Sequence, residues 1–196
     1  STMENKNTTL NDLITVFDEL KEINPLLAIN EREINGNTFN VFTNAPKTFR
    51  DLYDTVALLM GDFPFVNENG NQLNFLDIVQ KSKNLANYLS SKGITKDDSV
   101  GICMQNCTEW IIAYIGITAH GAKCVPFNSW WTQDELSYGI PHSEVKLVFT
   151  DRKRFELIKD FKVDIIQNGK SFNEITEKCY DAWPVKNASD EDYAVL

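Results

Sequence analysis

Apolar positions in the first twenty residues recur at helical spacing, at Leu10, Leu13, Ile14, Phe17 and Leu20, with an acidic opposite face. The pattern predicts a helix over residues 9–20, with Pro25 just beyond its end. The period then shortens. Asn35-Gly36 followed by Thr38, Phe39, Val41 and Phe42 predicts a hairpin, because an Asn-Gly pair suits the left-handed turn between two strands. Thr48-Phe-Arg-Asp51 is a loose capping box, with Asp in place of Glu, and opens a helix to about Met60. A second hairpin is predicted around Asn67-Glu-Asn-Gly70. Asn74 then caps a helix whose buried stripe is Ile78, Leu85, Ala86 and Leu89, and Gly93 ends it in the left-handed conformation.

From residue 99 onward the chain alternates. Strands are predicted at 99–104, 123–127, 145–150 and 163–167, with one more beginning at 192–196. The helices between them start at Asn106-Cys-Thr-Glu109 and run to about His120, start at the Thr132-Gln-Asp-Glu135 capping box and run to about Ile140, start at the Asp151 cap, and occupy 171–180. Strand–helix alternation implies right-handed crossovers and a mostly parallel sheet with helices on both faces. The fold class is therefore α/β, with hairpins and helices preceding the sheet.

Composition narrows the function classes. A chain of 196 residues with 42% hydrophobic content builds a substantial core. Its net charge of −9 repels phosphates, which argues against nucleic acid and anionic membrane surfaces as partners, although a local nucleotide site can oppose the global field. No apolar run approaches the roughly 18 residues of a membrane span, so no transmembrane segment is expected. The opening STMENKNTTL has neither the basic nor the apolar region of a signal peptide, and Ser1-Thr2 before Met3 reads as a cloning remnant. Four cysteines without a signal suggest reduced thiols and a cytoplasmic location.

The stretch GITAHGAKCVPFN, residues 116–128, is nearly a phosphate-binding loop, but Ala122 is inserted before Lys123. Context decides against it. A phosphate loop runs from strand to helix, whereas here a helix ends at Gly121 and a strand follows, so the glycines lie at the negative end of the helix dipole. Gly116 is expected to let that helix press closely on the sheet. Cys103, Cys107, His120 and Cys124 read C-x3-C-x12-H-x3-C, close to zinc-finger spacing. Cys103 and Cys124 lie in apolar strands, however, and about 18 Å of helix parts the two pairs, so these are read as core thiols. His120 and His142 have no triad partners in sequence and are read as surface residues, at a helix end and in a loop. The acidic clusters Asp18-Glu19, Asp97-Asp98 and Asp190-Glu191-Asp192 are read as solvated faces. Trp130-Trp131 falls at the carboxyl end of a parallel strand, where α/β folds bind ligands; the pair either lines a site or packs beneath the loop. Trp110 is read as core.

The ordered set of segments resembles the N-terminal part of AMP-forming acyl-CoA synthetases, in the adenylate-forming enzyme superfamily. LNFLDIVQKSKNLANYLSSKGITKDDSVGICMQNCTEWIIAYIGITAHGAKCVPFN is similar to the family's opening helix, strand, "N-x-x-E-W" helix and "GA-x-x-VP-x-N" strand. FNSWWTQDELSYGIPHSEVKLVFTD continues the likeness, its tryptophan pair being like that of fatty-acid-type ligases, and INGNTFNVFTNAPKTFRDLYD resembles the leader upstream. The resemblance covers roughly residues 33–196, leaving 1–32 as a helical leader. It implies a two-step ligation: a fatty or other apolar carboxylic acid and ATP give an acyl-adenylate and pyrophosphate, with Mg2+ neutralising the phosphates, and the thiol of CoA then displaces AMP. It also implies that DEDYAVL leads into the family's ATP loop. That loop and the later adenine-binding, ribose-binding and catalytic-lysine segments are absent, so this is expected to be an N-terminal portion, truncated and inactive alone. No catalytic or metal-binding residue is carried over. In some relatives the residues after the "VP-x-N" strand line the CoA nucleotide site, and the matching positions are Asn128, Ser129 and Trp130. Some relatives carry Arg in place of Trp130, where Arg pairs with phosphate and Trp offers only stacking or packing. Two other readings stand: a stand-alone interaction module that kept the fold and lost the chemistry, and an adenylating enzyme that loads a carrier protein. An incomplete sheet exposes an edge and an apolar face, which predicts self-association.

Overall fold

The computed structural model describes residues 28–44 and 46–185, together with Thr15 and Glu19, both helical. The rest of the helix predicted over 9–20, the strand predicted at 192–196, Asp18 and the 190–192 acidic cluster lie outside the described residues; Glu19 is exposed. The chain divides into two units between Pro46 and Lys47. The first contains the predicted hairpin, β1 (Ile29–Ile34) antiparallel to β2 (Asn37–Phe42). Asn35 and Gly36 both have positive φ, 51° and 80°, as a tight hairpin turn demands.

The second unit opens with α1 (Phe49–Met60), capped by Thr48, whose side chain accepts from the Asp51 amide. α1 buries none of its residues and is tethered by polar groups instead. Arg50 Nε donates to the Ala119 carbonyl at 2.6 Å, and the Tyr53 and Thr118 hydroxyls lie 2.8 Å apart. The second predicted hairpin follows as β3 (Pro64–Glu68) and β4 (Asn71–Asn74), turning at Asn69-Gly70. Asn74 caps α2 (Phe75–Ser91) through a complete capping box with Asp77, and the stripe Ile78, Leu85, Ala86 and Leu89 is buried.

The alternating region forms β5 (Ser99–Cys103), α3 (Thr108–His120), β6 (Lys123–Pro126), α4 (Gln133–His142), β7 (Val145–Thr150), α5 (Arg152–Ile158), β8 (Asp164–Gln167) and α6 (Lys170–Thr176). Its four strands are all parallel, in the order β6-β5-β7-β8. Successive side chains of a strand point to opposite faces, so the sheet supports two cores. Val100, Ile102, Leu147 and Phe149 pack with Leu85 of α2, Ile117 of α3 and Phe172 of α6. Cys103, Val145 and Val148 pack with Leu136 and Ile140 of α4 and Ile158 of α5. Helices thus cover both faces, as predicted.

Several local expectations are corrected. The N-cap of α3 is Cys107 rather than Asn106, and it makes no side-chain cap bond. The cap comes from elsewhere in the fold: Glu68 Oε2, at the end of β3, accepts from the Thr108 hydroxyl at 2.6 Å and from its amide at 3.4 Å. α4 continues through Pro141 to His142, which is therefore helical, and its ring stacks on Tyr138 at 5.3 Å. Gly116 presses on a helix, not on the sheet: a Cβ there would lie 2.6 Å from Leu85 Cδ2 and 3.0 Å from the Ser82 carbonyl of α2. Asp98 is not a solvated charge. Its side chain is 11% exposed, pairs with Lys146 Nζ at 2.7 Å and accepts from the Thr95 amide and hydroxyl. Lys146 is the main reason its carboxyl titrates below the usual range, helped by the Thr95 bonds and opposed by burial.

α6 is also shorter than the 171–180 expected. From its last residue, Thr176, onward the backbone runs across α2 and α1 under a row of side-chain hydrogen bonds. Asn84 Nδ2 donates to the Thr176 carbonyl at 2.7 Å, Gln80 Nε2 to that of Tyr180 at 2.8 Å, and Asn87 Nδ2 to that of Ala182 at 2.9 Å. The Trp183 indole donates to Asp54 Oδ1 at 2.9 Å, and Arg50 Nη1 to the Pro184 carbonyl at 2.7 Å.

Candidate functional site

In an open α/β sheet, ligands bind outside the carboxyl ends of the strands, where successive crossovers leave in opposite directions. Here β5 connects through α3 to β6 on one side, and β7 connects through α5 to β8 on the other. The switch point therefore falls between the carboxyl ends of β5 and β7. That edge is stitched together. Phe127 donates its amide to the Ile102 carbonyl at 2.8 Å, and the Asn168 amide donates to the Thr150 carbonyl at 2.8 Å. The Thr150 hydroxyl, fully buried, donates to the Cys103 carbonyl at 2.8 Å.

One ion pair dominates the edge. Asp151 caps α5 through Oδ1, which accepts the Arg154 amide at 2.8 Å. Its Oδ2 accepts the Gln105 amide at 2.9 Å and Arg154 Nη1 at 3.1 Å. Arg154, only 4% exposed, turns Nε and Nη2 to the Ser129 carbonyl at 3.0 and 2.8 Å. The loops after β5, β6 and β7 are thus joined through two side chains.

The loop after β6 carries the three residues singled out from the sequence. Asn128 Oδ1 accepts the Trp130 amide at 2.9 Å, and its carbonyl accepts the Trp131 amide at 3.1 Å, folding the loop back on itself. The turn sends the two indoles different ways. Trp131 packs inward against Phe127, with ring centroids 6.4 Å apart, over Gly139, where a Cβ would come within 2.7 Å of the ring. Trp130 is 80% exposed. One ring fills space beneath the loop; the other offers a free aromatic face at the carboxyl edge. Arg154 and Gln105 are the members of this edge that sequence reasoning missed; Asp151 was read only as a helix cap, not as the link to Gln105 and Arg154. A signal existed for Arg154, because a cation in the first turn of a helix opposes the dipole and calls for a compensating role.

The rejected motifs are also located. Gly116 lies inside α3, Gly121 ends it with φ 94°, and β6 follows, the reverse of a phosphate loop. Cys107 and His120 stand at opposite ends of α3, and His120 Nε2 is 2.6 Å from the Ile94 carbonyl. Cys103 and Cys124 belong to different cores. Burial pushes the Cys103 and Cys107 thiols up to about 11 and the Cys124 thiol to about 12, so none is primed as a thiolate ligand or nucleophile. Trp110 is partly buried, stacks on Tyr114 at 5.4 Å and borders a groove of about 540 Å3 with Val66, Glu68 and Ile111. Among the described residues no three His, Cys, Asp or Glu side chains are grouped to hold a metal ion. No helix among them is long and apolar enough to cross a membrane. The edge offers an exposed aromatic face and hydrogen-bonding groups.

The architecture defines a doubly wound α/β unit with an open carboxyl edge. The AMP-binding enzyme family matches residues 50–196, and the chain belongs to that family. Similar curated proteins include a long-chain-fatty-acid–CoA ligase of Bacillus subtilis (strain 168), 29% identical over 53% of this chain and 19% of its own length. Long chain acyl-CoA synthetase 4 of Arabidopsis thaliana is 40% identical over 42% of this chain and 12% of its own. Tyrocidine synthase 1 of Brevibacillus parabrevis is 24% identical over 67% of this chain and 12% of its own. Among solved structures, the N-terminal domain of FACL13 from Mycobacterium tuberculosis superposes with a TM-score of 0.65 at 20% identity, over 71% of this chain and 38% of that one. That likeness speaks for the fold: a parallel sheet of the kind found in N-terminal domains of adenylate-forming enzymes. The chain spans at most about a fifth of the length of these curated relatives.

Proposed function

We propose that this chain is the N-terminal portion of an ATP-dependent acyl-CoA synthetase, which converts a fatty or other carboxylic acid, ATP and CoA to acyl-CoA, AMP and pyrophosphate through an acyl-adenylate. The observation that carries the reading is the family match over 50–196, joined to fatty-acid–CoA ligases among its relatives. In this reading the chain supplies scaffold, together with one wall of the CoA site at Asn128, Ser129 and Trp130. The exposed Trp130 indole stacks on the nucleotide base, since any base presents a π face, and the Asn128 and Ser129 side chains add polar contacts. Phosphate binding, the magnesium site and the acid–base chemistry fall to segments other than the described residues, so the chain alone does not turn over.

The similarity to tyrocidine synthase 1 supports a second reading, an adenylating enzyme that loads a carrier protein. The stand-alone module remains the alternative without chemistry. Pyrophosphate–ATP exchange with the polypeptide that carries this segment, across short, medium and long carboxylic acids and amino acids, separates them. Exchange that depends on a fatty acid is expected. Exchange only with amino acids favours the carrier-loading enzyme, and a folded protein with no exchange favours the module.

A further inference from the structure

We propose that Arg154 is the positioning residue of the carboxyl-edge site, a buried strut that fixes the Asn128–Ser129–Trp130 loop against the loop after β5. The proposal rests on the reading of that loop as a ligand wall.

Three observations carry it. First, Arg154 is a guanidinium in the first turn of α5, preceded there by Arg152 and Lys153, where the helix dipole disfavours a cation. A residue held at 4% exposure in that place needs compensation, and Asp151 supplies it at 3.1 Å. Second, the guanidinium divides its donors between two partners. Nη1 serves Asp151, while Nε and Nη2 converge on the Ser129 carbonyl. That carbonyl lies in the stretch whose next residue bears the exposed indole. Third, Asp151 Oδ2 also accepts the Gln105 amide, from the loop that follows β5 across the switch point. The path Gln105–Asp151–Arg154–Ser129 therefore sets the spacing of the two lips of the crevice. The loop's own bonds, from Asn128 to the Trp130 and Trp131 amides, fix its shape but not its place.

The planar fork makes the assignment specific. Lysine keeps the charge and can keep Asp151, but a single ammonium cannot also present two donors to Ser129 from the opposite edge of a plane. Arg154→Lys is thus expected to leave the fold intact and release the loop. Asp151→Asn is the companion variant: its amide oxygen keeps the cap on the Arg154 amide, while the NH2 that replaces Oδ2 accepts from neither the Gln105 amide nor Arg154 Nη1, so the strut loses its anchor.

The test uses the 196-residue chain labelled with 5-fluorotryptophan, its Trp130 resonance assigned through Trp130→Phe. Binding of coenzyme A is measured by calorimetry in parallel. Expected are a narrower, shifted Trp130 line in Arg154→Lys and Asp151→Asn, unchanged Trp110 and Trp183 lines that report an intact fold, and coenzyme A binding weakened by about tenfold or more. Coenzyme A binding within twofold of the unsubstituted chain, with an unmoved Trp130 line, overturns the strut. If the unsubstituted chain does not bind coenzyme A, the ligand reading falls, and the Trp130 line alone decides the strut: a changed line supports it and an unchanged one overturns it.

Discussion

At the scale of single residues, burial governs both reactivity and pH response. Cys103, Cys107 and Cys124 hold their protons up to about 11, 11 and 12, whereas the same thiols in the unfolded chain ionise near 8.5. A folded pKa above the unfolded one gives stability that is complete below about pH 8.5 and is lost as pH climbs towards the folded values. The urea midpoint is therefore expected to fall between pH 8 and pH 10.5, and Cys124→Ala to lessen the fall. At pH 8 a disulfide reagent should titrate the exposed Cys179 quickly, and all four thiols only in denaturant. The core character of Cys103 and Cys124 was legible from their apolar strands. The fate of the tryptophan pair was not, because it depends on Asn128 folding the loop back and on the missing Cβ of Gly139, which lie at different distances along the sequence. Arg154 escaped for a related reason: its partner is a backbone carbonyl 25 residues away, which leaves no trace in side-chain pattern.

At the scale of elements, caps and turns carried most of the readable signal. Asn35-Gly36, Thr48, Asn74, Gly93, Thr132 and Asp151 each do locally what their chemistry dictates. The failure at Asn106 shows where local rules stop. The amino end of α3 takes its acceptor from Glu68, 40 residues earlier, so an expectation confined to neighbouring positions assigns the cap wrongly. The meeting of α2 and α3 is a second long-range feature. Gly116→Ala puts a methyl group where Leu85 Cδ2 and the Ser82 carbonyl already lie. One of the two helices must shift, at a cost of about 1–3 kcal/mol, read as a drop in the urea midpoint. A loss within about 0.5 kcal/mol would mean that Leu85 simply rotates away.

At the scale of the whole molecule, the parallel sheet with helices on both faces was legible from alternation alone, because a strand buried on two sides carries a continuous apolar stretch such as Leu147-Val148-Phe149. Strand order was not legible, since β7 reaches past β6 to pair with β5, and only geometry records that. Among the described residues β6 and β8 each pair on one side, and Leu58, Leu59, Met60, Phe63 and Leu76 stand exposed. Open edges and apolar surface favour association, so light scattering at about 100 µM should give a mass above the monomer; a monomeric mass would mean that the −9 net charge keeps copies apart. The run of backbone laid over α2 and α1 bears on how the protein can be shortened. A version ending at α6 would leave Gln80 and Asn87 reaching for carbonyls that are gone, would take the Tyr180 amide from Asn84 Oδ1, and would strip Arg50 and Asp54 of bonds they now make. The smallest version worth expressing or grafting therefore stops after Pro184, some eight residues beyond the last helix.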